Sequence, residues 1–174
     1  HTDCRVPGHS SGNLTRLVSV PLSTLTGLAD ETLLTYRTDI CGLAVPCRGE
    51  NIIASDTRIM DEESANNFVT ANILRLDASD FQRQDVWQRH VKALAERVDA
   101  IYMSIDADIL EYEYVPSYIK KVPYGQNLDT VMRNVGIVTE TGKVCALSLF
   151  CFNFDCSGKE SMRTYKSAVD IMQA

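Results

Sequence analysis

From residue 87 to residue 98 the apolar side chains fall at Trp87, Val91, Leu94 and Val98, with polar residues between them. That i, i+4, i+7, i+11 spacing puts them on one face of a helix over 85–98, with Asp85 placed to cap it. The helix runs into Ile101-Tyr102-Met103-Ser104-Ile105, an apolar run rich in strand formers, and helix-then-strand is the rhythm of a parallel sheet. A second such run over 144–154 predicts another buried strand. Leu128, Val131, Met132 and Val135 predict a helix ended near Gly136, and Met162, Tyr165, Val169 and Met172 mark the apolar face of a last one. Earlier in the chain the pattern is weaker. Residues 14–28 suggest a helix interrupted by Pro21, and 33–45 fits strand or helix. Residues 52–55 read as a short core strand, with another near Ile73 and Leu74. The polar run 56–64 between them suits either a substrate-facing loop or a solvated helix start. The alternation of helix and buried strand predicts one α/β domain over 1–174 with a mainly parallel sheet.

The predicted strand 101–105 leads to two carboxylates, Asp106 and Asp108. In extended chain, residues i and i+2 point the same way roughly 6–7 Å apart. Ligands of open α/β sheets gather at the carboxyl ends of strands, so this pair suits one hard cation or two close ones. A loop cap is the plainer reading of the same spacing. His1 and Asp3 repeat the i, i+2 spacing with an imidazole and a carboxylate, a donor set that favours Mn, Fe or Zn over Ca or Mg. The turn-rich stretch 7–13 is of the kind that carries function.

Composition narrows the partners. A net charge of −6 argues against a nucleic-acid groove or an anionic membrane surface. No apolar run approaches the roughly 20 residues needed to cross a bilayer, and no signal-peptide pattern appears. The six cysteines (Cys4, Cys41, Cys47, Cys145, Cys151, Cys156) form no CxxC pair. They read as reduced, mostly buried thiols in a cytoplasmic protein.

The stretch 101–116, IYMSIDADILEYEYVP, resembles the arginase/ureohydrolase signature, in which a strand ends Ser-x-Asp-x-Asp-x-x-Asp-Pro with a further Pro beyond. Ser104, Asp106, Asp108 and Pro116 match it, whereas Glu111-Tyr112 replaces Asp-Pro. His1-Thr2-Asp3 resembles the tail of the family's Asp-Ala-His-x-Asp motif. In 150–169, FCFNFDCSGKESMRTYKSAV, Asn153 matches a Glu-x-Asn-Pro motif in which Cys151 stands at the Glu position. The resemblance implies a three-layer αβα fold whose N-terminal part is missing, 1–174 being the C-terminal part of the domain.

It also implies a binuclear Mn2+ site with His1, Asp3, Asp106 and Asp108 as ligands and Asp108 as the proton shuttle. His9 is an outer acid/base candidate. The loop 9–16 matches arginase through Ser11 and Asn13, with Thr15 replacing a proton-shuttling His, and matches formiminoglutamase and agmatinase through His9 and Arg16. Arg5 is formiminoglutamase-like, and Asp61 falls where arginase holds a substrate amino group. The implied activity is hydrolysis of a linear amidine or guanidine carbon–nitrogen bond, closest to formiminoglutamase, in a homo-oligomer. Cys151, Glu111 and Thr15 support the alternative of a silent relative that acts as an oligomeric binding or regulatory subunit. A thiol cannot pair a planar cation as a carboxylate does.

Overall fold

The computed structural model describes residues 3–6, 17–58, 60–118, 123–154 and 158–174. The chain folds as two compact units, His1–Ala78 and Ser79–Ala174. His1, His9, Ser11, Asn13, Thr15 and Arg16 lie outside the described residues.

In the first unit, the Pro21 stretch is a 3-10 turn, Leu17–Ser19, followed by α1, Pro21–Thr26. Pro21 opens that helix instead of interrupting it, because the first turn needs no N–H from it. The ambiguous stretch after it is helical. Asp30 caps α2 (Glu31–Thr35) by accepting the Leu33 N–H at 3.0 Å, and the chain continues as a π turn over Tyr36–Ile40. β1 (Ile53–Ala54) and β2 (Leu74–Arg75) are parallel and are joined through α3, Glu62–Ala71. Cys4, Ala54, Phe68 and Ile73 form the core beneath them.

The polar run 56–64 matches neither expectation throughout. Asp56 and Thr57 are buried, and Asp56 pairs with Arg58 at 3.0 Å. The rest of the run starts α3, a helix the apolar pattern does not reveal because only Ser64 and Phe68 of it are buried.

The second unit follows the sequence reading more closely. After a short α4 (Ala78–Gln82), α5 spans Gln84–Ala95 and buries Val86, Trp87, Val91 and Leu94. Arg83, not Asp85, stands at the N-cap; Asp85 lies in the first turn. α6 (Leu128–Thr139) runs through Gly136 to its last turn. The chain reverses after it at Gly142, whose φ of +68° suits glycine. Trp87 meets Phe81 edge-on at 5.0 Å, and its indole N–H donates to the Asn134 carbonyl at 2.9 Å, which ties α5 to α6.

β3 (Ile101–Asp106) and β4 (Val144–Phe150) pair in parallel with Asp106 opposite Phe150. Ile101 and Ile105 are buried while Tyr102 and Ser104 are exposed, so β3 alternates as a half-covered strand does. The expectation of a second buried strand over 144–154 is corrected here. β4 stops at Phe150, and none of its residues is buried. Each strand has a single neighbour among the described residues, so each pairs along one edge only.

A further correction concerns α7 (Lys159–Met172). Its apolar positions Met162, Tyr165 and Met172 are 62%, 51% and 57% exposed, and its buried face is Ser161, Thr164, Ser167, Ala168 and Ile171. The small polar residues are buried because they bind the loop after β3. Ser167 Oγ donates to the Tyr114 carbonyl at 2.8 Å, and the Ser117 N–H donates to Thr164 Oγ1 at 3.2 Å.

The five described cysteines are free thiols. Contrary to the expectation of mostly buried thiols, only Cys4 is buried, and Cys41, Cys145 and Cys151 are exposed. No described helix is long and apolar enough to cross a membrane.

Candidate metal centre

The carboxyl ends of β3 and β4 coincide because the two strands are parallel and in register to their last residues. Asp106 closes β3, and the chain turns at once into a 3-10 turn, Ala107–Ile109. Asp106 caps that turn, its Oδ1 accepting the Asp108 N–H at a long 3.4 Å. On the neighbouring strand the next residue is Cys151, held at φ +61°, a left-handed conformation uncommon outside glycine. Its thiol donates to Asp106 Oδ2 across 3.8 Å. Asp106 and Asp108 are both half-buried.

The loop beyond this tip is closed by a short parallel bridge, in which Gln126 N–H donates to Ile109 O (2.7 Å) and Glu111 N–H to Gln126 O (2.9 Å). Gly125 permits that closure, since a Cβ there would stand 2.3 Å from the Leu110 backbone. Tyr118 returns toward the aspartates. Burial, together with the charges of Asp108, Asp106 and Cys151, pushes its hydroxyl up to about 12. The Cys151 thiol is pushed up by burial and then by Asp106 and Asp108. Both neighbours are therefore held protonated beside a negative tip, the electrostatic environment that attracts a cation.

The first unit carries the other predicted residues. Segment 3–6 belongs to no strand, and side chains satisfy much of its backbone. The Cys4 N–H donates to Ser64 Oγ (3.1 Å), the Val6 N–H to Glu63 Oε1 (3.0 Å), and Asn67 Nδ2 to the Cys4 carbonyl (2.7 Å). On its other side, Ser23 Oγ donates to the Arg5 carbonyl at 2.6 Å. Asp3 accepts the Ser19 hydroxyl at 2.8 Å.

Arg5 gives Nε (3.0 Å) and Nη2 to Asp61 Oδ2, while Asp61 Oδ1 caps α3 by accepting the Ser64 N–H at 2.8 Å. Burial pushes the Asp61 carboxyl up, but the Ser64 hydrogen bonds and the Arg5 guanidinium outweigh it and hold it below its ordinary value. The site positions thus fall into two groups, Asp3, Arg5 and Asp61 in one unit and Asp106 and Asp108 in the other.

Among the described residues, no three His, Cys, Asp or Glu side chains gather into a group that could hold a metal. The carboxylates of Asp106 and Asp108 suit manganese as hard oxygen donors, whereas the thiol beside them suits a softer ion. Tyr118 and Ser19 have no counterpart in the sequence reading. Tyr118 sits in an irregular loop without periodicity, and only the fold brings Ser19 to Asp3.

The model of the arginase family matches residues 1–174. The chain belongs to the arginase family. No curated protein sequence matches it. Solved structures supply the fold. Entamoeba histolytica arginase, in complex with L-ornithine, overlays with a TM-score of 0.77 at 18% identity, covering 100% of this chain and 58% of that one. Bacillus caldovelox arginase overlays at 0.74 and 18%, with 88% and 50% covered. Formimidoylglutamase from Bacillus subtilis overlays at 0.63 and 14%, with 72% and 40% covered. The chain therefore has an arginase-like α/β fold with parallel strands and spans about half the length of the arginases it matches.

Proposed function

We propose that the protein is a metal-dependent hydrolase of a linear amidine or guanidine carbon–nitrogen bond, with a formiminoglutamase-like substrate that carries a carboxylate. The observation that carries this reading is the placement of Asp106 and Asp108 at the paired carboxyl ends of β3 and β4. His1, Asp3, Asp106 and Asp108 are the proposed ligands of two Mn2+ ions, which when bound supply an activated water near neutral pH. Asp108 would serve as the proton shuttle, accepting and releasing a proton at its carboxylate, and His9 would serve as an outer acid/base. Asp61, with one oxygen on Ser64 and the other on Arg5, has its capacity largely taken up inside the protein. That favours a substrate with an anionic end over one with a free ammonium. Arg5, positioned by Asp61, and Arg16 are the proposed carboxylate partners, with Ser11 and Asn13 as further contacts. The working state is a homo-oligomer in the cytoplasm.

A second reading, a silent relative that serves as a binding or regulatory subunit, is favoured by one observation, the thiol of Cys151 beside Asp106. The two are separated by loading the full chain with Mn2+ and assaying hydrolysis of an N-formimino amino acid, agmatine and arginine. The hydrolase reading expects Mn2+-dependent turnover that disappears in Asp106→Ala. A chain that binds no Mn2+ leaves the silent reading.

A further inference from the structure

We propose that the cavity between α3 and β2 binds a small carboxylate with an apolar body, its charge on Arg75 and its body against Phe68 and Ile73. The cavity has a volume of about 370 Å3, within the size range of small-molecule sites. Its lining belongs wholly to the first unit and includes none of the proposed metal ligands.

The walls follow from the local fold. α3 buries Phe68, and its left-handed cap at Asn72 (φ +58°) turns the chain back so that buried Ile73 leads into β2. Met60 joins the apolar lining, and Val69, also a lining residue and 82% exposed, leaves the cavity open to solvent. The charged group in that lining is Arg75. Its Nε donates to Thr57 Oγ1 at 2.7 Å and its Nη2 to the Thr57 carbonyl at 3.3 Å. These bonds use the side-on edge of the guanidinium and fix its plane. The end-on edge, made of Nη1 and the second Nη2 hydrogen, has no partner among the described residues. Asp56, adjacent in sequence to Thr57, pairs with Arg58 instead. Such an edge receives a carboxylate through two parallel hydrogen bonds. Asn72 adds a side-chain amide that is likewise without a partner among the described residues. A cation with no internal counter-ion, set in apolar walls, selects an anion joined to an apolar body. Free phosphate or sulfate has no such body and would leave the walls against water.

The test is calorimetric titration of the full chain with phenylbutyrate and with phenylbutanol, which has the same body without the charge. The acid should bind one-to-one and the alcohol at least about 10-fold more weakly, the scale of a charge-assisted hydrogen bond. Arg75→Gln should abolish that preference, so that acid and alcohol bind alike. Ala65→Leu narrows the cavity and leaves Arg75 in place. It should weaken both ligands by about 10-fold or more, and it decides the matter if Arg75→Gln fails to fold. Four results overturn the proposal: no binding of phenylbutyrate, equal binding of acid and alcohol to the unaltered chain, a preference that survives in Arg75→Gln, or affinities that Ala65→Leu leaves unchanged.

Discussion

Asp61 and Asp106 do the same local job with opposite surroundings. Each caps a helical turn by accepting an N–H two or three residues on, Asp61 from Ser64 at 2.8 Å and Asp106 from Asp108 at 3.4 Å. The second oxygen of Asp61 receives the guanidinium of Arg5, whereas that of Asp106 faces the thiol of Cys151. One carboxylate is thus stabilised in its charged form from within and ties segment 3–6 to α3. The other stands beside a second aspartate and next to groups whose ionisation it suppresses. A carboxylate matched by its own cation builds architecture. A pair gathered at a strand end concentrates negative charge, and it is there that the proposed function places a cation.

The largest effect that distinguishes the two belongs to Asp106. Asp106→Ala should weaken divalent-metal binding by at least about 100-fold, since even supporting residues of metal sites cost about 10–100-fold. It should leave the metal-free protein within about 1 kcal/mol of its original stability, because a long cap bond is lost and a like-charge neighbour is relieved. Equilibrium dialysis and urea unfolding check the two halves. Unchanged metal affinity would reduce Asp106 to a loop cap. Asp61→Ala should show the reverse balance, with a stability loss of about 1–2 kcal/mol from the cap and the partly exposed ion pair together. Asp61→Asn retains the cap oxygen and should lose less than about 1 kcal/mol. Equal losses in the two variants would mean that the cap contributes nothing.

How far the sequence discloses this contrast depends on what each element obeys. α5 was legible because its apolar spacing and its buried face coincide at Trp87, Val91 and Leu94. α7 has an equally clear apolar spacing, yet the face it buries is Ser161, Thr164 and Ser167, chosen by hydrogen bonds to the loop after β3. Periodicity reports where apolar residues sit, not which partner waits there. The Asp106–Asp108 spacing is a local property of the sequence, but the extended i, i+2 geometry expected of it is not what forms: β3 ends at Asp106, and Asp108 lies in the 3-10 turn Ala107–Ile109. The Arg5–Asp61 pair joins residues 56 positions apart, so no local spacing announces it. Cys151 stood out only as a departure from a family motif, and its distance from Asp106 comes from the register of β3 against β4.

The smallest effect is the most specific to Asp61, and it depends on pH. Its folded-state carboxyl titrates below its ordinary value, so the carboxylate contributes stability above the unfolded value of about 3.9 and loses it as pH falls through that range. Arg5→Gln removes one of the groups that lowers it, so this contribution shrinks. At neutral pH the variant should be less stable by under about 1 kcal/mol, the scale of a partly exposed ion pair. As pH falls below the unfolded value and on through the lowered folded one, Asp61 becomes protonated in both proteins and the difference should close. Urea midpoints followed from neutral to acidic pH measure it directly. A difference that stays constant over that range would assign the loss to packing of the Arg5 stem, and Asp61 would then owe its place to Ser64 alone.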